Sequence, residues 1–140
     1  MDKEKLEQYY LNTTYSVFVD EDKYDIKINE PVPDVFKELL EKQYSAVILT
    51  AWNPRSQLFP LHENKSRNNY LRSSLVKNNF KILNATGQGD NAWPAEESFF
   101  IVGITKEEAE SIAAEYGQYA YVWIEYDKPV SLEFSHIWKK

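Results

Sequence analysis

The chain of 140 residues contains no cysteine, which removes disulfides, thiolate nucleophiles and cysteine-bound zinc from consideration. Histidine is nearly as scarce. His62 and His136 alone cannot build an imidazole cage, so no metal ligands and no cofactor are assigned. No stretch approaches the roughly 18 consecutive apolar residues of a membrane helix. The opening Met1-Asp2-Lys3-Glu4-Lys5-Leu6-Glu7 has neither the basic start nor the apolar run of a signal peptide. These absences predict a cytoplasmic protein with no membrane contact. The N-x-S/T triplets at Asn12, Asn64 and Asn84 matter only in a secretory compartment and are read as coincidence. No linker, internal repeat or low-complexity run divides the chain, so a single domain over residues 1–140 is expected.

Charge is unevenly spread. The net charge is −6, yet residues 45–83 carry six bases against one acid, Glu63, and hold all three arginines: Arg55, Arg67 and Arg72. An acidic whole argues against general nucleic-acid binding, which needs a basic face to release counterions from phosphates. The local basic segment still permits a small anionic ligand, although it also balances its acidic neighbours.

Aromatic residues make up 15% of the chain, enough to build a core. Residues 3–11 read as a short helix, and 15–19 with 24–28 as a hairpin around the acidic turn 20–23. Pro33-Asp34 opens a helix bearing Val35, Phe36, Leu39 and Leu40 at helical spacing. This first third, residues 1–44, is expected to pack on the core as an extension. The core itself, residues 45–134, begins with Ser45 to Ala51, a continuous apolar run typical of a strand buried on both faces. Residues 62–78 form a helix with the inward stripe Asn64, Asn68, Leu71 and Leu75. Strands follow at 80–86 and 98–102, then a helix over 105–116 that starts with the capping box Thr105-Lys-Glu-Glu108 and stops at Gly117. A strand at 120–126 and a short edge at 130–134 complete the chain. The fold class is α+β, and the order from 45 to 126 predicts a ferredoxin-like split β-α-β-β-α-β core.

In that topology the first and third core strands are antiparallel neighbours, so one rim of the sheet gathers distant polar segments. The candidates there are Thr50, Trp52, Asn53, Arg55 and Ser56 after the first strand, and Asn64, Arg67, Asn68 and Asn69 on the first core helix. Trp93, Glu96, Glu97 and Ser98 around the start of the third strand join them, with Gln118 before the fourth. Glu96 and Glu97 are adjacent in a strand, point to opposite faces and cannot act as an acid/base pair. Ser56 and Ser98 have no obvious histidine base. Gly87-Gln88-Gly89 is a weak match to a phosphate cradle and reads better as a turn. Asn64 and Asn68 place two carboxamides where packing wants apolar groups; they either satisfy loop groups near 52–56 or line a wet pocket.

Several of these segments together resemble a known family. Leu49-Thr50-Ala51-Trp52-Asn53-Pro54-Arg55-Ser56, Asn64 with Asn69 and Leu71, Trp93-Pro94-Ala95-Glu96-Glu97-Ser98-Phe99 and Gly117-Gln118-Tyr119-Ala120 are similar to the bacterial domain-of-unknown-function family numbered 3293. The resemblance implies a bacterial cytosolic protein and carries no established activity.

The residues favour a domain that binds a small polar or anionic ligand such as a nucleotide, with Arg55, Arg67 and a helix N-terminus facing the charge and a tryptophan stacked on a base. A protein-interaction or regulatory module whose aromatic rim or sheet edge meets a partner is the alternative. A hydrolase comes third, and whether any reaction is catalysed stays open.

Overall fold

The structure is a computed structural model in which residues 2–40, 44–89 and 94–138 are described. Asp2 caps helix α1 (Lys3–Leu11) by accepting from the Lys5 N–H at 2.8 Å. The hairpin β1 (Thr14–Val19) and β2 (Asp22–Ile26) and helix α2 (Asp34–Leu40) follow. Next come β3 (Ser45–Leu49), a 3-10 turn (Pro54–Ser56), α3 (Leu61–Lys77), β4 (Lys81–Gln88) and β5 (Glu96–Val102). The chain ends with α4 (Lys106–Glu115), β6 (Ala120–Glu125) and β7 (Ser131–Phe134). The capping box predicted for α4 is present: the Thr105 hydroxyl accepts from the Glu108 N–H at 3.1 Å, and the Glu108 carboxylate accepts from the Thr105 N–H at 3.0 Å. No helix among the described residues is long and apolar enough to cross a membrane.

The fold is α+β, with the strands in one antiparallel sheet ordered β2-β1-β4-β5-β3-β6-β7. β5 lies between β3 and β4, with Leu49 opposite Phe99 and Gly87 opposite Glu96. The N-terminal hairpin does more than pack on a finished core. β1 pairs with β4, Tyr15 facing Gly87, and so extends the sheet itself. Gly87-Gln88 accordingly belongs to β4 and is neither a turn nor a cradle. An added Cβ at Gly87 would stand 3.2 Å from Tyr15 Cε1, so the missing side chain is what seats the tyrosine ring against the strand.

Strand alternation divides the core into two layers. On one face Ala46, Ile48, Phe100, Val122 and Ile124 meet Phe36 and Leu40 of α2, Tyr15 and Val17 of β1, and partly buried Tyr10 and Leu11 of α1. On the other, Val47, Leu49, Phe99, Ile101 and Trp123 meet Leu71 and Leu75 of α3 and Ala109 and Ala113 of α4. β3 is buried on both faces because helices cover both, as its unbroken apolar run requires.

Candidate functional site

β3 ends at Leu49, and the chain turns through a segment in which Asn53, Arg55 and Ser56 all have positive φ (46°, 57° and 58°). Left-handed backbone costs a residue other than glycine roughly 1–3 kcal/mol unless its surroundings hold it there. Side chains of α3 supply that hold. The Asn64 Oδ1 accepts from the Asn53 N–H at 2.8 Å, and its Nδ2 donates to Asn53 Oδ1 at 2.8 Å and to the Phe59 carbonyl at 3.3 Å. One turn later, Asn68 Oδ1 accepts from the Ala51 N–H at 2.7 Å while its Nδ2 donates to the Glu97 carbonyl at 2.7 Å. Thr50 donates its hydroxyl to the same carbonyl at 2.6 Å and accepts from the Trp52 N–H at 3.0 Å. The two buried amides therefore answer backbone groups that the bent loop would otherwise leave unpaired.

The loop is also tied to the end of α4. Arg67 donates from Nε to the Ala51 carbonyl at 2.8 Å and from Nη2 to the Tyr116 carbonyl at 2.9 Å. α4 has no basic residue in its last turn, so this guanidinium from α3 caps its C-terminus. Gln118 donates to the Trp52 carbonyl at 3.1 Å, and the Arg55 N–H donates to the Gly117 carbonyl at 2.7 Å. Gly117 has φ +72°, and an added Cβ would lie 2.8 Å from Pro54 Cβ. Both conformation and contact demand glycine there.

On the opposite face of the sheet, between α1 and the strands, lies a cavity of about 270 Å³. Leu6, Ile48, Ala120 and Val122 form its apolar wall, Tyr9, Tyr10, Thr13 and Tyr15 its N-terminal side, and Asn53, Glu96, Ser98 and Gln118 part of its polar end. Asn53 connects the loop to this space. Its Oδ1 is occupied by Asn64 and by the Phe59 N–H at 2.9 Å, which turns its Nδ2 to donate to Glu96 Oε2 at 3.1 Å. Burial raises the hydroxyl pKa of Tyr9, Tyr10 and Tyr15 above the usual tyrosine value, and the nearby Glu96 charge raises all three further. They are neutral hydroxyls at physiological pH, able to donate and to accept.

The rim predicted from sequence divides in two. Thr50, Asn53, Ser56, Glu96, Ser98 and Gln118 line the cavity. Asn64, Arg67 and Asn68 form the loop scaffold instead, and Trp52 is buried with it. Glu97 points the other way, to an exposed ion pair with Lys65 at 3.2 Å. Arg55 is exposed and lies outside the lining, and Asn69 faces a shallow groove on the outer side of α3. Trp93 lies outside the described residues. The expected anion site therefore loses its cations. Arg67 is committed to carbonyls, Arg72 donates to Asn84 Oδ1 at 3.1 Å, and Glu96 is the one charged side chain of the described lining.

Sequence reasoning missed Leu6, Tyr9, Tyr10, Thr13 and Tyr15, because nothing local says that α1 covers this rim. Gly87 inside a strand was the available signal, since glycine there marks a close approach. Among the described residues no group of three or more acidic or histidine side chains is placed to hold a metal ion.

A family model described as "Protein of unknown function (DUF3293)" matches residues 49–121. The matched span covers the whole loop scaffold and the polar end of the cavity, while the tyrosine side lies before it. No curated protein and no solved structure matches the chain.

Proposed function

The chain belongs to the DUF3293 family, whose description names no activity, and from the site itself we propose that this domain binds a small organic molecule in the cavity between α1 and the sheet. The observation that carries this reading is the cavity's construction. Protein cores are close-packed, and a space of about 270 Å³ between α1 and the sheet interrupts that packing. Such a space is tolerable where it holds solvent or a ligand. Its mixture of apolar wall and a few converging polar groups is the usual make-up of a small-molecule site. The amide scaffold behind Asn53 holds the polar end rigid in advance, which lowers the ordering cost of binding.

The lining supports binding over hydrolysis: it offers one carboxylate and two serines, and the described lining has no histidine to activate either hydroxyl. The strand order β4-β5-β3-β6, with α3 and α4 on one face, supports reading residues 45–126 as a split β-α-β-β-α-β core.

A thermal-shift screen of ring-sized fragments tests the proposal, repeated on the filling variants Ala120→Leu and Ser98→Leu. Fragments that raise the midpoint of the wild type are expected to lose their effect in folded filling variants. Equal shifts in wild type and both variants would place binding elsewhere and overturn the reading.

A further inference from the structure

Gln118 stands between α4 and β6 with all but one of its polar groups already bonded. Its backbone N–H donates to the Ala113 carbonyl at 2.8 Å, and its backbone carbonyl accepts from the Ser135 hydroxyl at 2.6 Å. Its side-chain Nε2 donates to the Trp52 carbonyl at 3.1 Å and to the Tyr116 carbonyl at 3.3 Å. Only the nitrogen can answer two carbonyls, so these partners fix which way the carboxamide is turned. The other end, Oε1, accepts from no donor among the described residues, in a residue that is only 7% exposed. Among the described residues the polar side-chain atoms sealed in the interior without a partner are the Tyr116 hydroxyl and the Trp138 indole nitrogen. Gln118 Oε1 is not sealed, and the space it opens on is the cavity that the residue lines. Ala120 and Val122 of β6 line the same cavity, so the acceptor stands at the end of the apolar wall that this strand provides. A buried carbonyl oxygen is costly to leave unanswered, and it calls for a donor from whatever occupies the space.

We infer that the cavity takes a compact apolar ring compound carrying an N–H or O–H donor, with the ring against Leu6, Ile48 and Val122 and the donor bonded to Gln118 Oε1. This rests on the reading of the cavity as a ligand site, and it needs no free charge there: Glu96 is already engaged, by Asn53 at 3.1 Å among others. The size agrees, since an engineered cavity of about 150 Å³ holds benzene and about 270 Å³ takes a fused pair of rings. A fixed acceptor also sets specificity, because a ligand of the same shape without the donor leaves the buried oxygen unpaired.

Indole and benzofuran test this, since they share one shape and differ by an N–H against an ether oxygen. Both are titrated by calorimetry into wild type, Gln118→Met and Ala120→Leu. Indole is expected to bind wild type about five- to hundredfold more tightly than benzofuran. Gln118→Met keeps the length of the side chain and removes the acceptor, and should bring the two affinities together. Ala120→Leu fills the cavity and should weaken both. A reading on the wild type needs no variant to fold: the side-chain carbonyl carbon resonance of Gln118 should move on saturation with indole and stay nearly still with benzofuran. Benzofuran binding as tightly as indole, with both lost in Ala120→Leu, would overturn the donor assignment and leave the cavity as a site. An indole preference that persists in folded Gln118→Met, or an unmoved Gln118 resonance in wild type saturated with indole, would overturn the role of Gln118. Binding unchanged in folded Ala120→Leu would place both probes elsewhere and overturn the cavity reading as well. Failure of both to bind wild type would overturn the assignment of a donor-bearing ring, and the separate fragment screen with the filling variants decides whether the cavity reading survives that result.

Discussion

Asn64 and Asn53 hold each other in both directions: the Asn64 carboxamide accepts from the Asn53 backbone N–H and donates to the Asn53 side-chain oxygen, each at 2.8 Å. The pair lets a helix pin a left-handed loop residue, and the pinned residue then presents its own amide to Glu96 at 3.1 Å. Contact therefore runs from α3 through the loop to the carboxylate in the cavity, across two side chains.

Removing the first of these has a calculable consequence. Asn64→Ala leaves the buried Asn53 N–H without its partner and takes one of two donors from Asn53 Oδ1, which keeps the Phe59 N–H, and is expected to lower stability by roughly 1–3 kcal/mol. Asn64→Asp keeps the acceptor but sets a second oxygen against Asn53 Oδ1 and the Phe59 carbonyl, so it should cost at least as much. Urea titration measures both. A loss within about 0.5 kcal/mol, the range of ordinary surface substitutions, would show that the amide pair does not hold the loop.

Two glycines separate conformation from contact. Gly103 and Gly117 both have positive φ, +79° and +72°, but a Cβ at Gly103 meets nothing within 4 Å while one at Gly117 collides with Pro54. Gly103→Ala should cost about 1 kcal/mol from backbone strain alone. Gly117→Ala should cost clearly more, because the Pro54 ring and the Arg55 to Gly117 hydrogen bond must shift as well. Equal midpoint changes in denaturant for the two variants would remove the proposed docking of Gly117 on the loop.

The tyrosine wall predicts an alkaline limit. Burial first raises the Tyr10 and Tyr15 hydroxyls above the ordinary value of 10.0, followed by the Glu96 charge for Tyr10 and by the neighbouring Tyr10 and Tyr9 hydroxyls, then Glu96, for Tyr15, so the folded protein keeps protons that the unfolded chain releases. This contribution is complete below the unfolded value and declines as pH rises beyond about 10. The melting temperature should therefore drop above pH 10, and less steeply in Tyr10→Phe. Absorbance titration at alkaline pH should show part of the ten tyrosines ionising only on unfolding.

An acidic counterpart is Glu110 of α4, which meets Tyr121 of β6 and His136. Burial alone would raise the Glu110 carboxyl, but hydrogen bonds from the His136 N–H at 2.7 Å, the His136 ring at 2.6 Å and the Tyr121 hydroxyl at 3.2 Å outweigh it and lower the pKa below 4.5. A depressed carboxyl stabilises above its unfolded pKa, and the effect is lost as pH falls through the folded one. Glu110→Gln should cost up to about 1 kcal/mol at neutral pH, since the group is partly solvated. Chemical denaturation at pH 7 and pH 3 should show that difference shrinking, and an undiminished difference at pH 3 would contradict the assignment.

Element types were written locally and could be read locally. The apolar run 46–49 announces a strand covered on both faces, Thr105 with Glu108 marks the start of α4, and the spacing Asn64, Asn68, Leu71, Leu75 marks the inward face of α3. The strand period alone also shows that Glu96 and Glu97 cannot share a site, and the structure sends one to the cavity and the other to Lys65. What those asparagines do was decided only in three dimensions. Their role depends on the hydrogen-bond demand of a left-handed loop, which exists once the chain after β3 has turned across the end of α3. The arginines are clustered in sequence, yet orphan carbonyls at the ends of β3 and α4 claim Arg67 before any ligand can, so the charge of the segment says little about the charge of the cavity. The tyrosine wall is the furthest from sequence: Tyr15 meets Gly87 only because β1 joins the edge of β4, a long-range pairing that no local propensity encodes.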